Sequence, residues 1–105
     1  MPARSTTAQP ATRATAITVS IPAPLRKYCG GPAEIEVSAT ILRTMLEELE
    51  RRFPELYRST CDETGAVRRH INIFVNMDHM RDCNGLDTAL EPGDVVTIMT
   101  AVSGG

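Results

Sequence analysis

Ile17, Val19 and Ile21 alternate with Thr18 and Ser20, the two-residue period of a strand with one buried face. Pro22 and Pro24 stop that run. Cys29-Gly30-Gly31-Pro32 then reads as a turn, because glycine accepts the positive φ that tight turns require. Alternation resumes with Ile35 and Val37 set among polar residues, so the two runs predict an antiparallel hairpin. After it the period changes. Ile41, Leu42, Met45, Leu46, Leu49 and Phe53 fall on one stripe at about 3.6-residue spacing, which predicts a helix over 40–53. Thr40 or Ser38 is placed to cap it. Pro54 closes it, since the residue before a proline avoids helical geometry. Residues 55–69 are polar, contain Gly65, and read as a connector.

From His70 the alternation returns. Ile71, Ile73 and Val75 point one way, and Asn72, Phe74 and Asn76 the other. Turn formers fill 83–94, with Asn84-Gly85 and Pro92-Gly93, and a β-branched run from Val95 to about Met99 predicts the last strand. The order is β-β-α-β-(short β)-β. This is an α+β domain in which a single helix lays its apolar stripe on one face of a small mixed sheet.

Residues 1–15 show no apolar period, are rich in Ala, Thr and Pro, and read as a disordered tail. Arg4 and Arg13 without an acidic residue give that tail a faint likeness to a transit peptide, but its shortness and two prolines favour an ordinary tail. The expected organisation is therefore a tail over 1–15, one domain over 16–99 and a flexible end over 100–105. A chain of 105 residues has room for one compact core, and with four aromatic residues that core is mostly aliphatic. Net charge of −2 argues against nucleic acid or an anionic membrane as the main partner. No apolar run reaches the roughly 18 residues of a membrane span.

Cys29, Cys61 and Cys83 are odd in number and widely spaced, and read as reduced thiols of a cytoplasmic protein. With His70 and His79 they lack the spacing of a zinc site. His79 beside Asp78 reads as an exposed loop pair. Arg68, Arg69 and His70 read as a solvated strand entry, or as a patch for an acidic partner. Glu47, Glu48, Glu50, Arg51 and Arg52 lie largely off the helix stripe and read as its solvated side, with a partner-docking face as the rival reading.

Taken together, "VSIPAPLR", Gly30-Gly31, "INIFVN", Arg81, "GLDTAL", "PGDVVTI" and the final "AVSGG" resemble the ubiquitin-like sulfur carriers. These are the small β-grasp proteins of molybdopterin, thiamine and cysteine biosynthesis, and the resemblance spans about 16–105. The wording is most similar to the cysteine-synthesis carriers and to carriers recruited for sulfur-containing natural products. Thr100 stands where the family often has proline, Ser103 where it has alanine, and Asp82-Cys83 where the cysteine branch has an aromatic after the arginine.

The resemblance implies a β-grasp fold and a protein cosubstrate that is not itself an enzyme. It implies that Gly105 carries first an adenylate and then a thiocarboxylate. A carboxylate is ionised and unreactive at neutral pH, so an ATP-using activating enzyme must convert one oxygen to a leaving group. Gly104 supplies slimness and backbone freedom for threading into that enzyme. Ser103, Val102 and Ala101 guide the tail. Met99 either joins Ala101 and Val102 as an anchoring contact or belongs to the core. No cofactor is expected on the chain itself. The implied acceptors are a PLP-dependent cysteine synthase, the molybdopterin synthase large subunit or a natural-product enzyme. A ubiquitin-like modifier, joined to lysines through Gly105, starts from the same adenylate and stays open at this level, as does a β-grasp interaction domain whose Gly-Gly end is a relic.

Overall fold

A computed structural model describes residues 16–101. The expected tail over 1–15 and the residues Val102, Ser103, Gly104 and Gly105 lie outside them. The first two apolar runs form β1 (Ala16–Ser20) and β2 (Glu34–Ser38), paired antiparallel with Ile17 opposite Val37 and Val19 opposite Ile35. The alternation has the predicted consequence: Ile17, Val19 and Val37 are buried. Gly30 and Gly31 hold φ of 91° and 108°, the left-handed geometry that a side chain resists. Between the strands the prolines do more than end β1. Pro22 leads into a 3-10 helix, Ala23–Cys29, with Pro24 in its first turn, and this helix buries Leu25 and Cys29.

The apolar stripe forms α1 (Leu42–Arg52), which buries Leu42, Met45, Leu46 and Leu49. Its cap is neither Ser38 nor Thr40. The helix follows Ile41, whose backbone N–H donates to Thr44 Oγ1 (3.4 Å) while that hydroxyl donates to the Ile41 carbonyl (2.9 Å). Pro54 ends α1, as expected, but it also starts α2 (Pro54–Thr60), so residues 54–60 are a helix and not a connector. A proline at the first helical position forfeits no hydrogen bond, because that N–H has no partner within the helix. Leu56 is fully buried on α2, and the buried Thr60 donates its hydroxyl to the Leu56 carbonyl (2.9 Å). The single predicted helix is thus two.

β3 (Ile71–Val75), the short β4 (Asp78–His79) and β5 (Val95–Thr100) complete a five-stranded sheet in the order β2-β1-β5-β3-β4. β5 lies parallel to β1 and antiparallel to β3, and every other pairing is antiparallel. Ile17, Val19, Ile71, Ile73, Val96 and Ile98 meet the α1 leucines in one aliphatic core. Each such fully buried side chain stabilises the fold by about 1.5–3 kcal/mol relative to exposure. The solvated side of α1 is as the charge run predicts: Glu47, Glu50, Arg51 and Arg52 are exposed, and Arg51 pairs with Glu48.

Candidate functional site

The sheet topology decides where the chain's last residues emerge. Because β1 and β5 are parallel, β5 ends beside the point where β1 gives way to the 3-10 helix. β5 runs through Thr100, one residue beyond the expected end, and Thr100 pairs with Ile71. Ala101 is exposed, and its N–H still donates to the His70 carbonyl (2.7 Å). Of the five residues expected to form the tail's working part, Ala101 is thus fixed at its root. Val102, Ser103, Gly104 and Gly105 follow outside the described residues.

Met99 is no core residue. Alternation along β5 sends Val96 and Ile98 inward, and Val95, Thr97 and Met99 to the opposite face. Met99 is 48% exposed. The register sets Thr97 across from Phe74 and Met99 across from Asn72, so Phe74 joins them on the outer face. Met77, in the turn after β3, is 91% exposed. Phe74, Asn76, Met77, Thr97 and Met99 line a shallow apolar depression that continues along β5 toward the tail. Exposed methionine of this kind makes an adaptable contact surface, because its unbranched thioether repacks easily.

His79 was expected in an exposed loop pair with Asp78. Instead the two residues form β4, and His79 is half-buried. Its Nδ1 accepts the Arg81 backbone N–H (3.1 Å), so in the neutral ring Nε2 carries the proton and donates to Asn72 Oδ1 (3.0 Å). The imidazole stands edge-on to Phe74, with centroids 5.0 Å apart, and pins that ring on the outer face. Alternation alone placed Phe74 on this face; the contribution of His79 and Met77 depends on a tight turn between β3 and β4 that no local period announces.

The other candidate residues assemble no second centre. Cys29 and Cys61 are buried and Cys83 is exposed, and all three are free. Burial, and then the neighbouring Asp62 charge, push the Cys61 thiol up to about 11, the wrong direction for a nucleophile. Arg68 donates Nε to the Arg58 carbonyl (2.7 Å), and Arg69 and His70 are exposed in the turn before β3, as a solvated strand entry requires. Among the described residues no group of three or more His, Cys, Asp or Glu could hold a metal ion. No helix among them is long and apolar enough to cross a membrane.

The sequence and fold of this chain are shared with known proteins. The model of the ThiS family matches residues 19–105. The sulfur carrier protein CysO of Mycobacterium tuberculosis is 37% identical over 91 residues, covering 85% of this chain and 98% of the relative. The crystal structure of that organism's CysO superposes with a TM-score of 0.76 at 36% identity, over 82% of this chain and 99% of the other. A chain of the Amycolatopsis orientalis BexX/CysO complex gives 0.78 at 32% identity, over 85% and 99%. The small archaeal modifier protein 1 of Methanosarcina acetivorans gives 0.77 at 26% identity, over 88% and 98%. Family model, sequence relatives and solved structures agree along the described domain, and the chain belongs to the ThiS family of ubiquitin-like sulfur carriers.

Proposed function

We propose that this protein carries sulfur for biosynthesis as a thiocarboxylate at Gly105, with cysteine formation as the best-supported destination. The observation behind this reading is the match over nearly the full length of a protein named a sulfur carrier, with Gly104 and Gly105 inside the family-model match. The chemistry runs in two steps. A Gly105 carboxylate oxygen attacks the α-phosphorus of ATP on a separate activating enzyme, and pyrophosphate leaves. Hydrosulfide then attacks the acyl carbon, the C–O bond to AMP breaks, the proton on sulfur passes to solvent, and the carboxyl oxygen departs with AMP. One oxygen has been exchanged for sulfur, and the carrier has supplied no catalytic group.

The body's part is recognition. Val102, Ser103 and Gly104 form the slim lead into the activating site, and Ala101, anchored on His70, sets its starting point. The outer face of Phe74, Met77 and Met99 offers the enzyme a grip on the folded part. The acceptor on this reading is a PLP-dependent cysteine synthase, ahead of a molybdopterin synthase large subunit or a natural-product enzyme. Intact-mass spectrometry after incubation with ATP, a sulfide source and host lysate tests the proposal. The expected result is the mass gain of one sulfur replacing one oxygen, mapped to Gly105 and absent from a Gly105-deleted chain. A loaded deletion variant, or conjugates on other proteins in place of the gain, would falsify it.

A further inference from the structure

Arg26 occupies an unusual place. The 3-10 helix that follows β1 turns this side chain back onto the strand's end, where Nε donates to the Ile21 carbonyl (2.9 Å). That bond fixes the plane of the guanidinium. Its two terminal nitrogens have no hydrogen bond or ion pair to any described residue. The half-buried group lines a groove with Ser20, Pro22, Thr97, Met99 and Thr100, the same residues from which the chain's end departs. No acidic residue lines this groove. Arg43, Arg51 and Arg58, by contrast, spend their terminal nitrogens on Asp87, Glu48 and Glu55. Arg68 shares its recess with Glu50, Asp62 and Glu63.

We propose that Arg26 is a specificity-determining docking residue that receives an Asp or Glu carboxylate of the activating enzyme and so registers that enzyme on the root of the tail. The inference rests on the carrier reading above. A guanidinium fork with four free N–H donors matches a carboxylate in bidentate geometry. Anchoring through Nε removes much of the ordering cost that a free arginine would incur on binding. The groove is continuous with Met99 on one side and with Thr100 on the other, so one partner surface spans the apolar grip, the arginine and the tail. Gly105 follows Thr100 by five residues, a reach of up to about 17 Å for an extended chain, which favours a partner carboxylate at the root over the phosphate of the adenylate.

The test is ATP–pyrophosphate exchange driven by the host lysate fraction that activates the unaltered carrier, with carrier and ATP titrated separately. Arg26→Glu is expected to raise the carrier concentration for half-maximal exchange about tenfold or more, with the saturating rate and the half-saturating ATP concentration unchanged. Arg26→Gln is expected to give a smaller rise and to flatten the dependence of carrier affinity on salt. Arg26→Lys keeps the charge but loses the fork, and falls between Gln and the unaltered chain. Salt dependence separates docking from a structural loss of the Ile21 bond, which salt would not mimic, and thermal unfolding of each variant checks that it folds. Equal half-saturation and equal salt dependence across the series overturn the proposal while leaving the carrier reading intact. A change confined to ATP affinity or to the saturating rate overturns it in favour of a phosphate contact. No exchange with the unaltered chain overturns both.

Discussion

Three thiols of one short chain occupy three different environments, and burial sorts them. Cys61 is 1% exposed, and loss of hydration raises its thiol from an ordinary 9.0 to about 11, with the Asp62 charge adding to the effect. Cys29 is buried with its Sγ 3.5 Å from the Arg26 carbonyl, whereas Cys83 is exposed on the chain after β4. Iodoacetamide at pH 8 is therefore expected to label Cys83 in the folded protein and to reach the other two only in denaturant. The same raised value has a thermodynamic consequence. The folded thiol holds its proton more tightly than the unfolded one, so its contribution to stability is fully present below pH 9 and is lost as pH rises toward 11. Thermal midpoints should fall across that window, and Cys61→Ala should flatten the decline. An equally steep decline in the variant would assign the loss elsewhere, to Tyr57 for example, whose hydroxyl burial also pushes up. Sequence showed the three cysteines and their wide spacing. It could not show which were buried, because Cys61 is sealed by a bridge to Val67 and by α2, an element without a visible period. Asn76 teaches the same lesson. Its φ of 57° and its bonds to Asp94 and to the Val95 N–H join residues 18 and 19 positions apart.

At the scale of elements, legibility followed length and period. β1, β2 and β3 were readable because strict alternation leaves no second way to bury one face, and β5 because its β-branched run favours a strand. The α1 stripe repeats often enough over 11 residues to exclude a strand. α2 has seven residues and buries only Leu56 and Thr60, too few for any period to emerge, and its proline reads equally as a stop or a start. The 3-10 helix after β1 hid behind its prolines for the same reason. Whether α2 is a packed element has a direct measure. Leu56→Ala should cost about 2–5 kcal/mol in urea unfolding, close to the cost of Leu49→Ala on α1, since both side chains are fully buried. A polar connector would lose well under about 1 kcal/mol from the same change.

Across the whole molecule the sheet divides labour between its faces. The inner face carries the aliphatic core, and the outer face carries Phe74, Thr97 and Met99, with Met77 at its rim. The parallel pairing of β1 with β5 then brings the groove of Arg26 and the root of the tail to one end of that outer face. Local pattern predicts which residues face outward, but only the β1–β5 pairing, between residues 77 positions apart, brings Arg26 beside Met99 and Thr100. Stability and recognition should therefore separate cleanly along a single strand. Ile98→Asp puts an unpaired charge into the core and should prevent folding. Met99→Asp, one residue later, removes a half-exposed thioether from the outer face. It should change stability by no more than about 0.5 kcal/mol. On the proposed reading an activating enzyme grips the folded body as well as threading the tail, so Met99→Asp should nonetheless lower sulfur loading at Gly105 about tenfold or more at limiting carrier. Loading read by intact mass, beside urea unfolding of the same sample, checks both halves. Full loading of a normally folded Met99→Asp chain would show that the tail alone is recognised and that the apolar face serves another contact.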